Sequence, residues 1–263
     1  MNYELIKVEQ KDHITIVTIN RTDVMNCISP LASKEMSHAF DTFDRDPDAL
    51  VCIITGAGDK AFSAGNDLKY QARCDREAFA RQFADVKGGF GGITNRYDCF
   101  KPFIAAVNGL ALGGGFEIAL ACDIIIASTN ASFGLPEPRV GLMAAAGGLH
   151  RLPRQIPYHL AMGMIMTSKR LSSQEALQYG LVNEVVPSEE LMPTAEKWAA
   201  EIMKAAPLSI RASKEASLTG MRLSLQDAMM HNYPGVTAMQ NSDDYIEGPK
   251  AFAEKRPPQW KGR

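Results

Sequence analysis

The 263-residue chain lacks any apolar run approaching the roughly 18 residues that a membrane-spanning helix requires. Its opening residues, MNYELIK, fit neither a secretory signal nor an Arg-rich transit peptide, so a cytoplasmic protein without membrane association is expected. Charge of one sign is also missing. Lys+Arg number 28 against Asp+Glu 30, a formal net charge of −2, which leaves no basic field to attract nucleic acid. Cys27, Cys52, Cys74, Cys99 and Cys122 are dispersed with no C-x-x-C pair, which argues for reduced thiols. His13, His38, His150, His159 and His231 form no H-x-x-x-H or H-E-x-x-H spacing, so no metal site is expected. Neither G-x-G-x-x-G nor G-x-x-x-x-G-K-[ST] occurs, which weakens any phosphate-cradling reading. Internal repeats and low-complexity segments are absent as well.

With 46% hydrophobic residues, the chain can bury a large core as one domain with an associated helical end. Apolar, β-branched runs predict strands at His13–Ile19, Leu50–Thr55, from Phe103, at Asp123–Ala127 and at Leu181–Val186. A helix is predicted over Pro30–Phe43 behind the Ser29 N-cap, and others over Met192–Ala206, Leu208–Thr219 and Ser224–His231. Strands alternating with helices imply a largely parallel α/β sheet with both faces covered.

Residues 103–123 (FIAAVNGLALGGGFEIALACD) place Gly113, Gly114 and Gly115 between a strand-like and a helix-like stretch. Three glycines cost backbone entropy and supply no packing, so bare backbone is needed there. N–H groups at a helix start suit a carbonyl oxygen that acquires charge. Glu117, two residues further on, would project from the first helical turn beside that oxygen, as a proton-transfer group. A first-turn glutamate is also favoured by the helix dipole alone, and a Gly-rich turn can serve only close packing.

Upstream, the Leu50–Thr55 run leads through Gly56-Ala-Gly58 into AFSAGNDL, residues 61–68, a small-residue loop able to present a second N–H. Downstream, Glu137 stands between Pro136 and Pro138, and each proline restricts its predecessor to extended backbone, which predicts a stiff, non-helical mount for the carboxylate.

In this order, AFSAGND, IAAVNG-x-A-x-GGG-x-E, ASF-x-x-PE and the late AFAEKR of residues 251–256 resemble the enoyl-CoA hydratase/isomerase (crotonase) superfamily over nearly the whole chain. Within it, residues 114–121, 130–137 and 246–263 are similar to a dehydratase branch. The resemblance implies repeated β-β-α units over residues 1–195 and a C-terminal helical region, 196–263, serving trimerisation and completion of a coenzyme A site. It implies backbone donors at Asn66 and Gly114 as an oxyanion hole and Glu117 with Glu137 as a general acid/base pair. CoA contacts fall at Ala64, Asp67, Leu68, Phe252 and Lys255, the last from within the chain or from a neighbouring subunit. The implied substrate is an acyl-CoA thioester, with no separate cofactor, and the implied assembly a homotrimer or a dimer of trimers.

Both glutamates favour hydration or dehydration of a 2-enoyl-CoA/3-hydroxyacyl-CoA pair. A double-bond isomerase, which often keeps only the second carboxylate, is the alternative reading. From another class, a non-catalytic crotonase-fold binding or scaffold protein is the competitor. Ala145 stands where family dehalogenases resemble one another in an aspartate, which disfavours an aspartyl ester. Lys87–Gly92 (KGGFGG) reads as a turn or as a mobile lid. His150, behind Gly147-Gly148, reads as structural.

Overall fold

A computed structural model describes residues 2–263, with the side chains of Arg76 and Ala80 outside the described set. Its strands are β1 (Ile6–Lys11), β2 (Ile14–Ile19), β3 (Val51–Gly56), β4 (Ala61–Ser63), β5 (Phe103–Val107), β6 (Leu110–Leu112), β7 (Ile124–Ser128), β8 (Ser132–Gly134), β9 (Leu171–Ser172) and β10 (Glu184–Val186). Its helices are α1 (Pro30–Arg45), α2 (Leu68–Gln71), α3 (Arg76–Ala84), α4 (Gly114–Ala121), α5 (Gly148–Gln155), α6 (Tyr158–Thr167), α7 (Ser173–Gln178), α8 (Leu191–Met203), α9 (Pro207–Gly220), α10 (Leu225–Met230), α11 (Pro234–Gln240) and α12 (Asp243–Ala253).

The larger sheet runs β1-β2-β3-β5-β7-β10 and is parallel except for the β1–β2 pair. The smaller runs β4-β6-β8-β9, parallel except for β8–β9. In each of the pairs β3/β4, β5/β6 and β7/β8 the first strand joins the larger sheet and the second the smaller. This is the repeated β-β-α arrangement that the resemblance implies.

Apolar runs form the middle of the larger sheet, β3, β5 and β7, because both of its faces are buried there, whereas the edge strand β1 (IKVEQK) is largely exposed and carries no such run. Ile54, Ala105 and Ala127 face the main core with α1 and α4, while Ile53, Ile104 and Ile126 face Ala195 and Ala199 of α8. Residues 195 and 196 therefore both lie within a helix that packs on the sheet. The two- and three-residue strands of the smaller sheet were not foreseen, since so few residues show no periodicity.

Ser29 caps α1 as expected, its hydroxyl accepting the Ala32 N–H at 3.3 Å, with Pro30 in the first turn. The other end is closed by a buried cation. Lys101 Nζ donates to the carbonyls of Phe43 and Asp46 at 2.7 and 2.5 Å, where the helix dipole welcomes positive charge.

The C-terminal helices dock rather than dangle. Lys214 of α9 pairs with Asp123 at 2.7 Å, and Trp260 Nε1 reaches the Lys204 carbonyl at 2.8 Å. Met221, Leu225, Met229, Met230 and Phe252 of this region remain exposed, Phe252 at 87%. Among the described residues no helix is long and apolar enough to cross a membrane.

Candidate active site

The three glycines make the turn that starts the site. Gly113, at φ 54° and ψ −128°, is the N-cap of α4, a backbone region in which L side chains are strained. A Cβ on Gly115 would run into the Ser63 carbonyl, and one on Gly114 into the Phe90 ring. On the facing loop Gly65, at φ 87°, lies so close that an added Cβ would stand 2.8 Å from the Gly114 nitrogen. The loops carrying Asn66 and Gly114 thus meet backbone to backbone. Among the described residues neither N–H has an acceptor, whereas the neighbouring Gly113 N–H is taken by the Gly134 carbonyl at 2.9 Å and the Asp67 N–H by Ile28 at 3.1 Å.

Asn66 and Gly114 both border a cavity of about 270 Å³. Glu117 and Glu137 reach the same cavity from α4 and from the segment after β8. Glu117 is buried, and its Oε1 accepts the Gly148 N–H at 2.8 Å from the start of α5. Burial pushes its carboxyl up to about 7; the Gly148 and Ala146 N–H groups and the Arg151 cation oppose this, and the Glu137 charge adds to it. Burial also raises the Glu137 carboxyl. Among the described residues, Glu137 Oε2 is enclosed without any hydrogen-bond partner. A buried acceptor left open in a cavity is an invitation to a donor.

The mount of Glu137 differs from expectation. Rather than extended chain, it is the first residue of a single 3-10 turn, Glu137–Val140, closed by the Arg139 N–H on Pro136 and the Leu142 N–H on Glu137. Proline at the start of a short helical turn is tolerated because its missing N–H has no role there. The stiffness remains, supplied by a turn.

Of the implied CoA contacts, Ala64 and Leu68 border the cavity, while Asp67, Phe252 and Lys255 do not. The Asp67 carboxylate is engaged within the fold, accepting the Tyr70 N–H at 3.0 Å as cap of α2 and pairing with Arg21 at 2.9 Å. Those contacts hold it below the usual carboxylate range against its burial. Phe252 and Lys255 lie on and just after α12. His150 is exposed and lies outside the cavity wall.

The family profile described as Enoyl-CoA hydratase/isomerase matches residues 9–263. The chain belongs to that family. A carnitinyl-CoA dehydratase of Escherichia coli (strain SMS-3-5 / SECEC) is 44% identical over 99% of both chains, and one of Salmonella arizonae 42% identical over 98% of this chain and 99% of its own. Those names agree with the dehydratase branch that residues 114–121, 130–137 and 246–263 resemble, and with an enzyme of hydro-lyase type. Among solved structures, enoyl-CoA hydratase from Mycobacterium tuberculosis H37Rv superposes with a TM-score of 0.90 at 37% identity, covering 98% of this chain and 99% of that one. The enoyl-CoA hydratase from Bacillus anthracis gives 0.92 at 35% identity, over 99% and 100%. The fold of this family member is the crotonase fold.

Several wall residues escaped the sequence reading. Gly148 orients Glu117 from a glycine pair singled out only for its neighbour His150. Phe79 and Phe83 stand four apart on α3, a spacing that signals one shared helix face, and with Phe90 they line one side of the cavity. The Lys87–Gly92 loop is packed rather than free. Gly91 and Gly92 are buried, a Cβ on Gly92 would meet Ser37 of α1 at 2.5–2.6 Å, and the Arg96 guanidinium ties Gly92 O at 2.8 Å and Asp41 at 2.7 Å.

Proposed function

We propose that the protein adds water to a 2-enoyl-CoA thioester and removes it from the 3-hydroxyacyl-CoA. The observation that carries this reading is the pair of carboxyls, both raised by burial, facing one cavity beside two unengaged backbone N–H groups. The thioester oxygen would accept the Asn66 and Gly114 N–H groups, which meet the charge that develops as the α-carbon becomes enolate-like. One carboxylate of Glu117 and Glu137 takes a proton from water as it attacks Cβ, and the other, protonated, supplies the proton at Cα; dehydration reverses both transfers. Two neighbouring carboxyls in an apolar site hold one proton between them more readily than none, which is the charge state this cycle needs.

CoA enters as part of the substrate. Its nearer portion would pass Ala64 and Leu68, with Asp67 acting through the shape it gives this loop. Phe252 and Lys255 would complete the site from a neighbouring subunit of a trimer or a dimer of trimers, a reading supported by the exposed Phe252 and the apolar surface around α10. The reading keeps the water chemistry of the relatives and leaves their acyl group open. A double-bond isomerase needs one carboxylate, and a scaffold needs none; the cavity carries two.

Hydration of crotonyl-CoA, followed by loss of the conjugated thioester absorbance, tests the reading. Glu117→Gln and Glu137→Gln are each expected to lower the rate by roughly 10²–10⁴-fold with the fold retained. Full activity of Glu117→Gln would leave the isomerase reading standing instead.

A further inference from the structure

Past the two donors the cavity has a wall of one character. The Phe90 ring lies directly against Gly114, Phe83 stacks on Phe90 with centroids 5.8 Å apart and planes 22° apart, and Phe79 meets Phe83 edge-on at 5.3 Å. Val140, Leu142 and Met143 continue the lining without a polar side-chain group. Ala145 and Ala146 add none. The polar side chains of the lining are Asn66, Glu117 and Glu137, all at the reacting end. With the CoA portion assigned to the side of Ala64 and Leu68, the ring ladder is what an acyl chain meets.

We propose that Phe79, Phe83 and Phe90 make this subsite selective for a neutral hydrocarbon acyl chain longer than crotonyl, and against a short acyl group bearing a quaternary ammonium. The ring geometry decides between the two. A quaternary ammonium is recognised when aromatic faces converge on it. Here Phe83 and Phe90 turn faces toward each other too closely for a trimethylammonium to enter, and Phe79 packs against Phe83 in a T-shaped pair. The ladder presents hydrocarbon surface to the cavity. Among the described lining residues no carboxylate stands along it to replace the water a cation would lose, since Glu117 and Glu137 are committed to the reaction. An alkyl chain loses nothing there and buries each methylene, an effect of roughly fourfold in affinity per CH₂ at full burial.

This inference rests on the enoyl-CoA reading for its direction, so the test reads the subsite by binding alone. Dissociation constants are measured calorimetrically for four saturated, unreactive thioesters: butyryl-, octanoyl-, 4-(trimethylammonio)butyryl- and 5,5-dimethylhexanoyl-CoA, the last being the neutral isostere of the third. Octanoyl-CoA is expected to bind at least about tenfold more tightly than butyryl-CoA, and the neutral isostere at least about tenfold more tightly than the cation. Phe83→Ala is expected to shrink the octanoyl advantage, and Phe83→Leu to restore most of it, with circular dichroism confirming a folded chain. Equal binding of butyryl- and octanoyl-CoA, or a cation bound as tightly as its isostere, overturns the proposal. Failure to hydrate any enoyl-CoA would remove the proposed reaction, while the four constants would still decide the character of the subsite.

Discussion

Glu137 Oε1 lies against the bare Cα of Gly113, where an added Cβ would stand 2.8 Å from it. The same glycine that turns the chain into α4 therefore makes room for a carboxylate arriving from another segment. Gly113→Ala is expected to displace Glu137 and strain the turn, lowering kcat by on the order of 10² or more while KM changes little, because the loss falls on proton transfer. Steady-state kinetics beside a thermal melt check it: unchanged kcat in a folded variant would contradict the arrangement.

A carboxyl pushed up to about 7 should be visible in rate measurements. The proposed cycle needs one proton on the Glu117/Glu137 pair, so kcat/KM for hydration is expected to fall as pH rises through about 7 and the pair loses that proton. It is expected to fall again in acid as the second carboxyl is protonated. A flat profile from about pH 5 to pH 9 speaks against these groups as the proton carriers.

The raised carboxyl bears on stability with a definite sign. Glu117 binds its proton more tightly folded than unfolded, so its contribution is fully present below the ordinary value of 4.5 and is lost as pH rises through about 7. Glu117→Gln keeps an acceptor for the Gly148 N–H but cannot ionise. Denaturant titration is therefore expected to show the variant gaining on the parent between pH 4.5 and about pH 8, by up to on the order of 3 kcal/mol. A constant difference across that range would remove ionisation as the cause.

Phe252 and Lys255 offer a test of assembly. If they complete a neighbour's CoA site, Phe252→Ala and Lys255→Ala raise KM for every CoA thioester by roughly tenfold, with kcat unchanged and no dependence on acyl length. Light scattering on the parent is expected to give a trimer or hexamer mass. An active monomer whose KM ignores both substitutions would exclude the intersubunit site.

The sequence was legible where chemistry or burial leaves a continuous signal. Strands β3, β5 and β7 are largely apolar runs, and β2 a β-branched one, because both sheet faces are covered, and Glu117 and Glu137 announce themselves as lone acids in apolar or proline-bound surroundings. Illegible were pairings set only by folding. The bond from Gly148 to Glu117 joins residues 31 apart, and nothing in a glycine pair says which side chain it will hold. Strands β4, β6 and β8 owe their pairing to their neighbours and leave no pattern of their own. The aromatic ladder joins α3 to a glycine loop, so its wall existed in no single segment.

The clamping of the glycine loop has a use in engineering. The loop that carries Phe90 is held at its next two residues, Gly91 N–H on the Ser33 hydroxyl and Gly92 O by Arg96, which is itself tied to Ser37 and Asp41, so altering Phe90 disturbs a clamped loop as well as a pocket. Phe79 and Phe83 stand on a short helix whose outer side is open to solvent. Libraries that vary positions 79 and 83 and keep Phe90 should therefore move chain-length preference with little loss of expression, making two rings of the wall adjustable and keeping the third as their datum.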